Sequence, residues 1–190
     1  MPTSFLGDGL VFEDLLPLAW LPGALPKGLE LASLNADNHQ LLSAESSLDE
    51  VRVSEAALKE ESPALLHELQ RLEYKLNVLL RLTAEIATRG APLPPAQRAR
   101  LGSTGLEWIG AGAPATGATG QLRIYINPAL PQPLKIPCAV IGERRQGDDR
   151  VAQLQFRDLS EAVTDLLEKL IFRHHRRLVA GSRTATQGHH

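Results

Sequence analysis

The sequence predicts an α+β protein in which an antiparallel sheet or small barrel is interrupted by a long helical insertion. Three features carry this prediction. Pro63 to Thr88, PALLHELQRLEYKLNVLLRLTAEIAT, has a heptad pattern. After residue 97 the apolar period switches from helical to two. A short apolar and aromatic segment, GLVFEDLLPLAW at 9–20, precedes the helices, so extended chain is expected on both sides of them.

The heptad stretch is the organising element. Leu69, Leu76 and Thr83 fall at a, and Leu65, Leu72, Leu79 and Ile86 at d. Pro63 stands at the start of the helix, where a missing N–H costs nothing, with Ser62 before it as N-cap and Gly90 just past the end. At 1.5 Å per residue the helix is roughly 39 Å long. Leu66 and Leu80 fall at e and Leu82 at g. These flanks widen the apolar stripe beyond what a two-stranded coil needs, which favours a bundle of three or more helices formed by self-association. The alternative is one core helix of a monomeric bundle. With so few aromatic residues, the chain has little else against which to bury the stripe.

The remaining elements follow in order. Residues 9–12 read as a strand and 15–20 as a second short extended piece, before the breakers Pro22, Gly23 and Pro26. Leu31, Leu34, Leu41, Leu42 and Leu48 recur at helical spacing, giving a first helix over 29–50, with Asn35 and Asn38 as poor interior formers. Residues 51–62 are a polar connector or a further turn of helix. GAPLPPAQ at 90–97 is a proline-rich linker. Strands are expected at 104–110, 120–127, 133–144 and 150–157, separated by turns, as an antiparallel sheet or barrel. Asp158 and Glu161 form a capping box for a last helix, whose stripe is Val163, Leu166, Leu167, Leu170, Ile171, His174 and Leu178. The division is 1–27 as the first barrel strands, 28–90 as the helical insertion, 91–178 as the rest of the barrel with its helix, and 179–190 as a disordered tail.

Composition excludes several classes. The chain has 190 residues, with 43% apolar and 22% charged, which is ordinary for a globular protein. The one cysteine, Cys138, rules out an internal disulfide and points to a reducing compartment. The N-terminus has no basic region and no secretory character, and Arg81 interrupts the longest apolar run, so a cytoplasmic protein without a membrane span is expected. Residues 1–62 carry three Lys/Arg against eleven Asp/Glu, and 63–190 carry seventeen against eleven. This acidic front and basic back suit contacts between chains or domains and give no argument for nucleic acid.

No enzyme motif stands out. Gly110-Ala-Gly112-Ala-Pro-Ala115 has the G-x-G-x-x-A spacing of a dinucleotide fingerprint, but Pro114 and a strand follow where a helix is required. His174 and His175 are adjacent on a helix and cannot share a metal, so no metal site is expected. His39 and His67 read as surface or packing residues. Cys138 reads as a core thiol. Arg173 and Arg177 are four apart on the last helix and read as a solvated basic face.

The strand block nevertheless resembles a known family. Leu101-Gly-Ser-Thr-Gly-Leu106, then Glu107-Trp108-Ile109, a glycine loop, QLRIYI at 121–126, a proline turn, LKIPCAVIGER at 134–144, VAQLQF at 151–156 and a terminal helix are similar to a PilZ domain. The resemblance covers residues 99–178 and the first strand near 9–20. It implies a six-stranded antiparallel β-barrel with a C-terminal helix, of a type found among bacterial receptors for cyclic di-GMP. The helical block at 28–90 matches the tetrameric PilZ type in which heptad helices interrupt the barrel. For this chain it therefore implies four parallel helices, one per subunit.

The family binds its ligand through two arginines four residues apart before the barrel and a D/N-x-S-x-x-G motif. Arginine forks suit the phosphates and the guanine edge. Ser103 matches the serine and Gly105 a neighbouring glycine, while Leu101 and Leu106 stand at the Asp/Asn and final glycine positions. Arg98 and Arg100 are the nearest arginines, only two apart. The resemblance thus implies a degenerate site at Ser103, Gly105, Arg98 and Arg100, with weak or no cyclic di-GMP affinity and no other cofactor. The expected function is a non-enzymatic adaptor that assembles through its coiled coil and acts through protein partners. The alternatives are a direct receptor using Arg98, Arg100, Arg144 and Arg145, and an oligomeric scaffold outside cyclic di-GMP signalling.

Overall fold

A computed structural model describes residues 5–6, 10–61, 63–88, 93–127 and 132–186, with backbone alone over 48–61, 63–66, 177–186 and part of the second helix. Six strands close into an antiparallel barrel. They are β1 (Phe12–Pro22), β2 (Ala96–Leu101), β3 (Gly105–Ile109), β4 (Thr119–Ile124), β5 (Leu134–Gln146) and β6 (Asp149–Phe156). The order around the barrel is β1-β2-β3-β6-β5-β4. Two helices, α1 (Gly28–Glu61) and α2 (Pro63–Thr88), are inserted between β1 and β2, and α3 (Glu161–Thr186) follows β6.

The α+β class and the helical insertion are as the sequence predicts, and the closed six-stranded barrel is as the family resemblance implies. The two extended pieces expected at 9–12 and 15–20 are instead one strand. Residues 12–17 of β1 pair with β2, and from Leu18 onward β1 pairs with β4, which closes the barrel. Pro17 stands where the partner changes. It has no N–H to give to a ladder, while its carbonyl accepts from the Tyr125 amide at 3.1 Å.

Strand β2 begins in the last two residues of the expected linker, 90–97, and runs through residues before the strand expected at 104–110, where no element is predicted. Its sequence, AQRARL, places only Ala99 and Leu101 inside, both fully buried, so its apolar signal is slight. The segment 51–61 continues α1 to Glu61 rather than forming a connector.

The core is the barrel interior capped by α3. Leu101, Leu106, Leu122, Ile124, Leu134, Ile136, Cys138 and Leu154 fill the barrel, and Val163, Leu167, Leu170 and Ile171 of α3 join the same cluster. Trp108 and Phe156 are both buried, as their strand alternation predicts. The His174 ring packs on Phe12 with centroids 4.4 Å apart. The N-cap of α3 is Ser160 rather than Asp158: its hydroxyl accepts the Val163 amide at 3.4 Å, while Asp158 takes a left-handed φ of 53° in the turn before. Residues 179–186, expected as tail, continue α3.

The two asparagines that weaken α1 by propensity attach it to the barrel. Leu34, Asn38 and Leu42 recur every four residues and are all buried. The Asn38 amide donates to the Lys135 carbonyl at 2.8 Å and accepts the Lys135 amide at 2.9 Å, so one side chain satisfies both backbone groups of a β5 residue. Asn35 accepts the Ser160 amide at 2.9 Å and donates to the Asp158 carbonyl at 3.1 Å. Buried polar groups are tolerated only when paired, and these pairs also set where α1 sits on β5 and α3.

Candidate functional site

The polar feature best organised by the fold lies on the outer face of β1, β2 and β3. Alternation on β2 turns Ala99 and Leu101 inward and Arg98 and Arg100 outward. The tight β2–β3 connection, in which the Gly102 amide donates to the Gly105 carbonyl at 2.9 Å, sets a register pairing Arg100 with Glu107. The β1–β2 register pairs Glu13 with Arg100. Glu13, Arg100 and Glu107 therefore form a cross-strand row of alternating charge.

The row is closely hydrogen-bonded. Arg100 donates to Glu107 Oε2 at 2.9 Å and lies 3.7 Å from Glu13. Arg98 donates through Nε and a terminal nitrogen to Glu13 Oε1, at 3.0 and 2.8 Å. Arg144, on β5, reaches across β6 and donates to both Glu107 oxygens, at 2.9 and 3.3 Å. The Glu107 side chain is fully buried beneath the two guanidinium groups, whereas Arg98, Arg100 and Arg144 keep 54%, 28% and 34% of their side chains exposed. A buried carboxylate is stable only with such partners.

The ligand-motif positions are divided between core and surface. Leu101 and Leu106 are fully buried inside the barrel. At Gly105 an added Cβ would stand 2.7 Å from the Leu154 carbonyl oxygen and 2.8 Å from the Phe5 ring, so packing alone demands glycine. Ser103 lies in the turn and lines an apolar cleft of about 430 Å³ with Leu10, Ile171 and Phe172, rimmed by Glu168 and Lys169. No hydrogen bond joins Ser103 to Arg98 or Arg100 among the described residues. The arginines are engaged by Glu13 and Glu107 instead.

The other arginines divide into separate tasks. Arg145 is exposed beside Arg144 in a polar hollow with Glu143, Asp148 and Arg150. Arg150 donates to the Ala113 and Pro114 carbonyls at 2.8 and 2.9 Å and to Glu143 at 2.8 Å, which holds the glycine loop in place. That loop carries Gly110 and Gly112 and precedes a strand, as the reading against a dinucleotide fingerprint requires. Arg173 is not a solvated cation: it donates to the Ser46 hydroxyl at 2.9 Å and ties α3 to α1. The Arg177 side chain lies outside the described residues.

The heptad helix presents an open apolar face. Leu69, Leu72, Leu76 and Leu79 are 41%, 57%, 50% and 61% exposed in the single chain, and Leu82 is 46% exposed. Thr83 is exposed and returns its hydroxyl to the Leu79 carbonyl at 2.8 Å. The side chains of Leu65 and Ile86, at the two ends of the seam, lie outside the described residues. Five exposed leucines on one helix form a continuous apolar stripe, unlike the ordinary scatter of single surface apolar residues.

Cys138 is buried in β5 and donates weakly to the Ile136 carbonyl at 3.3 Å. Burial pushes its thiol pKa far up, so it stays protonated and unreactive, as the core-thiol reading requires. Among the described residues no group of three His, Cys, Asp or Glu side chains is placed to hold a metal. No helix among them is long and apolar enough to cross a membrane.

Glu13 and Glu107 were missed by the sequence reading. For Glu107 the signal was present: RARLGSTGLEW folds back about its glycine turn, which brings Arg100 opposite Glu107. The Arg144 contact needs the β5–β6 register, which a bulge between Val140 and Gly142 shifts by one residue, and no local pattern announces it.

Comparison with known proteins agrees with this architecture. The family model described as an atypical PilZ domain, a cyclic di-GMP receptor, matches residues 42–184, and the chain belongs to that family. It is similar to the crystal structure of a pathogenic protein from Xanthomonas campestris, a tetrameric PilZ domain self-assembled via an unusual helical bundle. Identity is 25% and the TM-score 0.71, with 91% of each chain covered. A second match is YcgR from Escherichia coli in complex with cyclic di-GMP, at 16% identity and a TM-score of 0.40, covering 47% of this chain and 39% of that one. A search among curated proteins gives no match.

Proposed function

We propose that this protein is a non-enzymatic, cytoplasmic PilZ-type adaptor in bacterial cyclic di-GMP signalling. It has weak or no affinity for the dinucleotide itself, assembles as a homotetramer through α2, and acts through protein partners. The observation that carries the reading is the state of the ligand motif. Two of its positions are leucines locked in the barrel core, and the nearest arginines are already paired with carboxylates. Each lost charge-assisted contact is worth roughly 1.5–3 kcal/mol. Losing the Asp/Asn and the arginine pair weakens binding by several powers of ten.

Assembly is supported by the exposed leucine stripe of α2 and by the helical bundle of the Xanthomonas protein. The insertion of α1 and α2 into the barrel gives each subunit its own bundle helix.

Titration of the protein with cyclic di-GMP by calorimetry tests the reading. No saturable heat is expected at low micromolar protein. Stoichiometric binding sinks the adaptor reading and favours direct reception through Arg98, Arg100, Arg144 and Arg145. That second reading draws on three of these arginines sharing one outer face; their carboxylate partners count against it. Co-purification with diguanylate-cyclase-type or phosphodiesterase-type proteins separates the adaptor from a scaffold outside the signalling network.

A further inference from the structure

The outer face of β1, β2, β3 and β5 combines three partly exposed guanidinium groups with two carboxylates. Opposite Arg100 on either side stand Glu13 and Glu107, and Arg144 closes on Glu107 from β5. We propose that this face is a phosphate-binding surface held shut by the chain's own carboxylates, with Glu107 and Glu13 as internal counter-ions of Arg98, Arg100 and Arg144. The proposal rests on the weak dinucleotide affinity argued above and gives it a second cause besides the altered motif.

Three points carry it. The arginines lie at the surface and the acid beneath: the Glu107 side chain is fully buried, while 28–54% of each arginine side chain remains open to solvent. Guanidinium groups have five N–H donors each. Arg100 gives one terminal nitrogen to Glu107, and Arg98 directs Nε and one terminal nitrogen to the single oxygen Oε1 of Glu13. Donors therefore remain for an incoming phosphodiester. Three arginines against two glutamates leave only one positive unit over the face, so an incoming phosphate meets the repulsion of the two carboxylates along with the attraction of the guanidinium groups. Glu13 is 45% exposed and is the partner an anion would displace. Glu107 is fixed and sets the arginine positions from below.

The test compares the full-length wild type with Glu13→Gln, Glu107→Gln and the double variant Glu13→Gln/Arg100→Ala. Each is titrated with cyclic di-GMP and, separately, with inorganic pyrophosphate at one ionic strength, by calorimetry and by the shift in melting temperature. Both single glutamine variants should bind at least one probe about tenfold or more tightly than the wild type, the size of one charge-assisted contact. Adding Arg100→Ala to Glu13→Gln should remove the gain. Glu107→Gln takes the carboxylate partner from Arg144 and leaves Arg100 with Glu13 alone, and should melt lower. Pyrophosphate should raise its melting temperature more than it raises that of the wild type, so a weakened fold still reports on the site. Equal affinities and equal shifts in the wild type and both single variants, or a gain that survives Arg100→Ala, overturn the proposal. Tight wild-type binding of cyclic di-GMP refutes the adaptor reading instead; the ratio of variant to wild-type affinity decides the proposal in either case.

Discussion

Replacing Leu72 and Leu76 together by aspartate tests the assembly directly. Both side chains are about half exposed in the single chain, at 57% and 50%. Full burial of a leucine is worth about 1.5–3 kcal/mol, so the half still open on each contributes about 1 kcal/mol to association. Losing that term is the smaller effect. In the bundle each helix would carry two carboxylates into a layer of like charges, and an unpaired buried charge costs several kcal/mol unless the helices separate. Separation is the cheaper outcome. The barrel core shares no residue with this stripe, so its strands should survive. Light scattering should give about four times the 20.7 kDa chain mass for the wild type and a smaller species for the variant. Circular dichroism should show a lower melting temperature with the β signal largely kept. A wild type that is monomeric at high concentration, or a variant that keeps the wild-type mass, refutes the reasoning and makes the stripe an internal surface.

Three further outcomes follow from the packing. Phe156→Ala should destabilise the barrel by about 3–5 kcal/mol in chemical denaturation; an unchanged transition would mean that its ring contributes nothing to the core. Asn38→Ala strands the amide and carbonyl of Lys135 and should lower stability by about 1–3 kcal/mol. The loss should appear as faster hydrogen exchange at the α1–β5 contact, and unchanged protection there would contradict the attachment. Gly105→Ala forces a Cβ against the Leu154 carbonyl, so a marked fall in melting temperature is expected; a neutral effect would show that the β3–β6 spacing gives way.

Some elements were legible because their signal is local. The heptad leucines of α2 repeat within one helix, and strands β3 to β6 are near their expected positions because each alternates with apolar residues inside. β2 was not legible, because only Ala99 and Leu101 of its six residues are buried and three of the other four are Gln97, Arg98 and Arg100. The asparagines of α1 misled for a related reason. Helix propensity describes an isolated chain, whereas Asn38 and Asn35 are satisfied by backbone groups nearly 100 residues or more away.

The candidate site divides in the same way. The resemblance to the PilZ family brought attention to Ser103, Gly105, Arg98 and Arg100, and to Leu101 and Leu106 at the polar and glycine positions of the family motif. Tertiary structure decided what those residues do: Gly105 is required by the Leu154 carbonyl and Phe5, Ser103 opens on a cleft against α3, and the arginines are held by glutamates from neighbouring strands. The sequence by itself determined the order of strands and helices and the leucine stripe along α2, because period and heptad spacing act between near neighbours. Whether an arginine is available to a ligand depends on which carboxylate the closed sheet brings beside it. Barrel closure and the β5 bulge set that, through pairings between residues far apart in the chain.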